Sequence, residues 1–260
     1  MEGVICRLLP YAVADGPQNM AADEVLLESA AAGVASLRFY GWSQATLSLG
    51  YFQPHRLRLE DARLAALPYV RRPTGGDALV HHHELTYAIG LPAGSHWQPP
   101  GARASSSLSR MHDIIAGALG SLGVAVGAHG DVGKKRDTRS ELLLSPRSGG
   151  PLCFEHLTPG DLLIGSAKVV GSSQRRQRGA LLQHGGILLG ASAHTPALPG
   201  ILELAGKRLA AGAVRQAVVL ELAQQTGWRL READWALPER HRMRCLVDRK
   251  YGCDPWTHRR

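Results

Sequence analysis

Cysteine, aromatic residues and long apolar runs are all scarce in this chain of 260 residues. The four cysteines, Cys6, Cys153, Cys245 and Cys253, form no C-x-x-C pair and have no histidine at the spacing of a structural zinc site. That excludes a disulfide-stapled scaffold and a zinc framework, and free thiols in a reducing cytoplasm are expected. Each thiol is by default a small buried hydrophobe, although one of them can be a nucleophile. No stretch reaches the roughly 20 apolar residues that span a bilayer, and Met1 to Pro10 lacks the basic-then-apolar pattern of a signal peptide. A cytoplasmic chain without membrane association is expected. Acidic residues are outnumbered, 22 against 30 Lys plus Arg, for a formal charge of +8, which favours an acidic partner without choosing among nucleic acid, an anionic membrane, a phosphorylated ligand and an acidic protein.

What is present is apolar bulk, 44% of residues, enough to build a sizeable core. Asn19 before an acidic, then apolar, segment predicts a capped helix that Gly33 ends. Ser36 to Tyr40 and Ala45 to Gly50 alternate like half-buried strands, with Gly41 to Gln44 as the turn between them. Further strands are expected near Pro68 to Arg72 and over Val80 to Leu91, joined by a Gly-Gly loop. Short strands follow at Leu162 to Ile164, Lys168 to Gly171 and Gly186 to Leu189. Leu108, Met111, Ile115, Leu119 and Leu122 predict an amphipathic helix before Gly123, and Val214 to Thr226 another. The basic stretch from His129 to Pro151 reads as an exposed loop. Hairpin-like strand pairs between helices predict an α+β fold, a mixed, largely antiparallel β-sheet with flanking helices. One catalytic-size domain over residues 1–260 is expected, with a small C-terminal extension from about residue 228 to 260.

Two constellations can carry chemistry. In Arg71-Arg72-Pro73-Thr74-Gly75-Gly76-Asp77-Ala78 the glycines let backbone approach a ligand and the guanidinium groups can hold phosphate or carboxylate, but a hairpin turn with a surface arginine pair has the same pattern. The following His81-His82-His83 is not expected to bind metal, since neighbouring side chains on a strand face opposite ways. In Gly165-Ser166-Ala167-Lys168-Val169-Val170-Gly171-Ser172 the lysine can stabilise an oxyanion in a cleft, or be an exposed hairpin lysine. Arg175, Arg176 and Arg178 read as a solvated turn, and no aromatic residue interleaves them as a single-stranded nucleic-acid platform requires, so no nucleic-acid partner is expected. Cys153 lies 15 residues before Lys168, and if the two meet, the lysine charge favours the nucleophilic thiolate.

Taken in order, Asn19-Met20-Ala21, Asp23-Glu24, Leu37-Arg38-Phe39-Tyr40-Gly41-Trp42, Ser48-Leu49-Gly50-Tyr51-Phe52-Gln53, Arg71-Arg72-Pro73-Thr74-Gly75-Gly76, Glu84-Leu85-Thr86-Tyr87, Lys168-Val169-Val170-Gly171-Ser172 and Leu182-Gln183-His184-Gly185 resemble the biotin/lipoate protein ligase superfamily, in its lipoate-protein ligase and octanoyltransferase branch. The resemblance implies that branch's mixed sheet and a tunnel for a medium-length acyl chain. It implies that Lys168 contacts the acyl carbonyl, that Arg72, Gly75, Gly76, Asp77 and Ala78 form the binding loop, and that His81, Gly171, Ser172, His184 and Gly185 line the substrate pocket. His81 and His184 are of the right type to be proton acceptors, and equally of the type that serves structure. Asp77 departs from the ligase pattern, which has a third glycine, and an acid beside a nucleotide phosphate is unfavourable.

Two chemistries exist in this branch. An octanoyltransferase moves octanoyl from acyl carrier protein to a lysine of a lipoyl-domain protein, such as glycine cleavage H protein or a 2-oxoacid dehydrogenase E2, through a cysteine acyl-enzyme and without cofactor. A lipoate-protein ligase instead uses ATP and magnesium and forms an acyl-adenylate. Cys153-Phe154-Glu155, with its 15-residue step to Lys168, resembles one cysteine-dependent octanoyltransferase subgroup, where ligases carry Gly-Arg-Asn-Asp. The expected activity is therefore the transfer, with Cys153 and Lys168 catalytic, no metal, and ATP-dependent ligation as the alternative.

Overall fold

The computed structural model describes residues 4–95, 97, 104–130 and 152–260. The basic run Lys134-Lys135-Arg136 lies outside them. Twelve strands among the described residues form two sheets. In chain order these are β1 (Ile5–Leu8), β2 (Ala12–Ala14), β3 (Ser36–Trp42), β4 (Thr46–Leu49), β5 (Tyr69–Arg71), β6 (Leu79–His81), β7 (Glu84–Leu91), β8 (Gly127–Ala128), β9 (Leu162–Ile164), β10 (Ala167–Gln177), β11 (Ala180–Leu188) and β12 (Arg229–Glu232). The large sheet runs β12-β1-β3-β7-β11-β10-β9-β8, with β2 beside the second half of β3, and the small sheet runs β5-β4-β6. Pairings of β12, β1, β2 and β3 are parallel, and from β3 through β7 to β8 every pairing is antiparallel. The α+β class with a largely antiparallel mixed sheet is the observed architecture.

Helices cover both faces of the large sheet, which is why its central strands are buried along their whole length. On one face Leu37, Phe39, Leu85, Tyr87 and Ile89 meet Met111, Ile115 and Leu119 in a layer formed by the helices Ala104–Ser121 and Ala211–Thr226. On the other, Tyr40, Trp42, Ala88 and Leu182 meet Met20, Val25, Leu26 and Leu27 of α1 (Gly16–Ala31). A fully buried side chain of this size contributes roughly 1.5–3 kcal/mol. Gly90 on β7 is a close-approach position, because a Cβ there would lie 2.8 Å from the Leu26 carbonyl oxygen.

The expected hairpin of Ser36–Tyr40 with Ala45–Gly50 does not form: β3 and β4 belong to different sheets. Both are buried on two faces, so their alternation carried no information about pairing. Asn19 is not a helix cap either. Asp15 caps α1 through a reciprocal pair with Gln18, and Asn19 is buried one turn in, donating to the Ala14 and Gly41 carbonyls and accepting from Arg38. Lys168 and Gly186 begin no short strands; β10 and β11 form one long hairpin closed by a two-residue turn, Arg178 and Gly179, both at positive φ.

Residues beyond 228 return to the large sheet and to the small one. β12 pairs in parallel with β1. The helix Leu237–Leu246 packs on α1. The short helix Asp254–Thr257 reaches Arg71, which donates to the Thr257 carbonyl at 2.9 Å while Trp256 Nε1 donates to the Arg71 carbonyl at 2.8 Å.

Candidate active site

Strand β4 lies between β5 and β6, so the chain from Arg72 to Ala78 must cross over it. The crossing is tight. A Cβ on Gly50 would lie 1.8 Å from the Gly76 carbonyl oxygen, and Gly76 sits at φ +88°, a conformation that favours glycine. Both arginines are consumed in bonds to backbone, Arg71 in the Gly50–Gln53 turn beneath the crossing and Arg72 in the loop itself. Arg71, fully buried, donates to the carbonyls of Gly50, Gln53 and Thr257. Arg72 donates to the carbonyls of Ser48, Gly75 and Asp77 and to Ser48 Oγ. Burial pulls the Arg72 guanidinium below its ordinary pKa, and the nearby Cys153 and Asp77 partly offset this. Arg175 is not a solvated turn residue: it donates to the Pro73 carbonyl at 2.7 Å and braces the same loop.

The loop in turn positions the thiol. Ala78 pairs with Leu152 in a parallel bridge, and Cys153 N donates to the Ala78 carbonyl at 2.6 Å. This anchors a single 3-10 turn, Cys153–Glu155, at the end of which the buried Phe154 packs inward. On the facing hairpin a register shift between Lys168 and Val170 breaks the β9–β10 ladder. Lys168 Nζ lies 3.7 Å from Cys153 Sγ, 3.3 Å from the carbonyl oxygens of Cys153 and His156, and 2.7 Å from Asp161 Oδ2. Gly171 makes room for it, since a Cβ there would stand 2.5 Å from Lys168 Cε.

Sγ opens into a cavity of about 590 Å³ whose lining also includes Arg72, Gly76, Asp77, His81, Gly171, Ser172, His184 and Gly185. Of the residues picked from sequence, Lys168, Gly75 and Ala78 stand behind this wall: Lys168 is buried against Cys153, and Gly75 and Ala78 act through their carbonyls, on Arg72 and Cys153 respectively. Met20, Leu79, Phe154 and Leu157 give the cavity apolar surface suited to an aliphatic chain.

The two cavity histidines are fully engaged by the protein. His81 stacks on Trp42, its Nδ1 donates to Glu84 Oε1 at 2.5 Å, and its Nε2 meets Ser48 Oγ at 2.8 Å. His184 Nδ1 donates to Asp23 Oδ2 at 2.7 Å and its Nε2 meets Thr74 Oγ1 at 2.7 Å. Asp23 is itself buried, paired with Arg38 and accepting from Tyr40, whose hydroxyl burial and Asp23 hold well above its ordinary pKa. Sequence reasoning assigned no role to Asp161, Asp23, Glu84 or Thr74, and passed over His112 altogether. His112 reads as one more position on an amphipathic helix, and nothing local to it signals the site.

The sequence matches the lipoyl protein ligase A/B catalytic domain over residues 15–230. It is 31% identical to octanoyltransferase LipM of Symbiobacterium thermophilum over 281 residues, spanning 98% of each chain. It is 37% identical to octanoyltransferase LipM of Lysinibacillus sphaericus over 177 residues, which are 66% of this chain and 61% of that relative. Among solved structures it is similar to a lipoate-protein ligase A bound with ATP, TM-score 0.75 at 20% identity over 99% of both chains. It is also similar to a bipartite lipoate protein ligase from Thermoplasma acidophilum, TM-score 0.72 at 18% identity over 99% of this chain and 96% of that one.

Proposed function

The chain belongs to the lipoyl protein ligase A/B catalytic domain family, and from that premise we propose that it is an acyltransferase of protein lipoylation, moving octanoyl from acyl carrier protein to a lysine of a lipoyl-domain protein through an acyl-enzyme on Cys153. The observation that carries this reading is the 3.7 Å approach of Lys168 Nζ to Cys153 Sγ at the wall of an apolar cavity. An adenylate-forming ligase needs no thiol there.

In the first half-reaction Sγ attacks the carbonyl carbon of the octanoyl thioester. The new C–S bond forms, negative charge collects on the carbonyl oxygen beside the Lys168 ammonium, and the donor's C–S bond breaks to release its thiolate. Asp161 and two backbone carbonyls take the three hydrogens of the ammonium and hold it in place before substrate arrives, so it acts on the oxyanion as a fixed charge and not as a hydrogen-bond donor. In the second half-reaction the acceptor lysine attacks the Cys153 thioester, a C–N bond forms and the Cys153 sulfur leaves. One thioester is exchanged for another and then for an amide, so the energy of the donor thioester drives the whole sequence and no cofactor is required.

The ATP-dependent alternative finds less support in the loop. Arg71, Arg72 and Arg175 are spent on backbone carbonyls, and Asp77 adds an acid to the cavity lining that disfavours a bound triphosphate. The +8 charge suits acidic carrier and lipoyl domains, whose encounter it would steer.

Intact mass of the protein mixed with octanoyl acyl carrier protein tests the reading. A gain of about 126 Da, removable by hydroxylamine and absent from Cys153→Ala, is the expected signature of the thioester. ATP- and magnesium-dependent acylation of a lipoyl domain that survives Cys153→Ala would overturn it in favour of a ligase.

A further inference from the structure

The acceptor lysine presents a problem that Cys153 and Lys168 do not solve. Its amine has an ordinary pKa near about 10.4, and after attack on the thioester the nitrogen must shed a proton. Lys168 is a cation already held by Asp161, His184 Nε2 ends on Thr74 Oγ1, which does not line the cavity, and His81 Nε2 ends on Ser48 Oγ, to which Arg72 also donates. A third histidine stands behind the cavity wall. His112, on the helix Ala104–Ser121 and 2% exposed, bonds through Nδ1 to the Gly160 carbonyl at 2.5 Å and through Nε2 to Ser172 Oγ at 2.5 Å. A carbonyl can only accept, so Nδ1 carries a hydrogen. In the neutral ring Nε2 is then a bare acceptor aimed at the serine hydroxyl.

The rest of the chain of bonds has one consistent direction. Gln183 Nε2 donates to the Tyr87 hydroxyl at 3.1 Å, which leaves the Tyr87 hydrogen for Ser172 Oγ. Ser172 Oγ thus donates to His112, accepts from Tyr87, and keeps one lone pair. Ser172 itself lines the cavity, next in sequence to Gly171, whose Cβ position is 3.0 Å from Lys168 Nζ.

We propose that Ser172 is the cavity end of a proton relay to His112, and that this relay takes the proton from the acceptor amine when it cleaves the Cys153 thioester. The proposal rests on the transfer reading above. As the C–N bond forms, the amine proton passes to Ser172 Oγ while the serine proton passes to His112 Nε2. As the Cys153 C–S bond breaks, the same route reversed returns one proton to the departing sulfur. Starting from the neutral amine, amide and thiol are the products; the ammonium form present near neutral pH gives its extra proton to solvent before attack. Ser172 touches the reacting nitrogen and His112 acts through it as a positioning and proton-holding residue.

The surroundings of His112 set its poise. Burial lowers its affinity for the proton, the Gly160 carbonyl and the Asp161 carboxylate raise it, Lys168 lowers it, and Asp113 on its own helix raises it. Tyr87, the remaining ionisable group on the relay, stays protonated because burial drives its pKa up. The ring is therefore neutral and ready to accept near neutral pH. Ser48, bonded to His81 in the same cavity, is a poorer terminus, because Arg72 Nη1 already donates to its Oγ and a cation there opposes an arriving proton.

The two half-reactions separate the possibilities. Octanoyl acyl carrier protein is mixed with wild type, Ser172→Ala, His112→Gln and Ser48→Ala, and acyl-enzyme formation and its discharge to a lipoyl domain are followed by intact mass from pH 5 to 9. Ser172→Ala and His112→Gln are expected to slow discharge on the order of 10²-fold, far more than acylation. Both are expected to remove the limb of the discharge profile that rises below pH 7. Ser172→Ala changes only a small side chain on a strand, so it decides the matter even if His112→Gln folds poorly. Unchanged discharge and profile in Ser172→Ala, an equal loss in both half-reactions, or loss of the limb in Ser48→Ala instead, overturns the relay. Failure of wild type to form any adduct on Cys153 overturns the transfer reading itself.

Discussion

Asp161 and Lys168 form an ion pair of 2.7 Å in which the lysine side chain is 1% exposed and the carboxylate 5%. Asp161 also accepts from Thr158 N and Oγ1, so the loop before β9 is tied to the same charge that faces Cys153. Asp161→Asn keeps the shape but leaves a buried ammonium without its counter-charge. The expected cost is on the order of 3 kcal/mol of stability by urea unfolding, with slowed octanoylation of Cys153. Unchanged acylation would show that the lysine does not need its partner for the chemistry.

Gly171→Ala separates stability from activity. The added methyl would meet the flexible end of Lys168, 2.5 Å from Cε, and not a rigid backbone. The lysine stem can shift with Nζ still paired to Asp161, at a folding cost under about 1 kcal/mol, but Nζ then leaves its place beside Sγ, and a displacement of about 1 Å costs roughly 10²-fold in rate. A Gly171→Ala protein with wild-type unfolding midpoint and impaired acyl-enzyme formation is the expected result; wild-type acylation would contradict it.

Gly50→Ala should behave in the opposite way. Its Cβ would fall 1.8 Å from the Gly76 carbonyl oxygen, a backbone atom held by the crossing over β4. The loop must deform, and a loss above about 2 kcal/mol in unfolding free energy is expected. A midpoint equal to wild type would mean that the crossing is far more pliant than its packing indicates.

Acid should weaken the fold partly through His112. Burial holds its folded-state pKa below the unfolded imidazole value of about 6.5. The folded protein therefore binds fewer protons than the unfolded chain, so this contribution is fully present above pH about 6.5 and is lost as pH falls through the lowered folded value. His82, also depressed by burial, adds a term of the same sign that His112→Gln leaves intact. Urea midpoints at pH 7.5 and pH 5 should fall less steeply for His112→Gln than for wild type, and parallel slopes would refute the assignment.

Local patterns made α1 and the helices Ala104–Ser121 and Ala211–Thr226 readable, because cap residues and apolar spacing are contained within a few residues of one another, whereas the β10–β11 hairpin shows in sequence only as the short strands Lys168 to Gly171 and Gly186 to Leu189. Strand partners were not readable where both faces are buried: β3 and β4 look alike in sequence yet join different sheets. Cys153 and Lys168 were singled out by a step of 15 residues, and the fold does bring them together. The groups that orient the site are remote, Asp23 lying 161 positions from His184 and His112 lying 60 from Ser172. Only tertiary packing joins them. The structural part of Arg71 and Arg72 was unreadable for a similar reason, since a surface anion clamp and a buried brace share one sequence, although Arg72 does line the cavity as the resemblance implied.

Arg71 draws its acceptors from Gly50 and Gln53 close by and from Thr257, 186 positions further along. A chain made from its N-terminus therefore has β4, β5 and β6 before it has the Thr257 carbonyl that completes the bonding of Arg71. Until residue 257 is in place, that guanidinium must stay hydrated or sit buried and short of a partner, so closing the small sheet around it waits on a segment far along the chain.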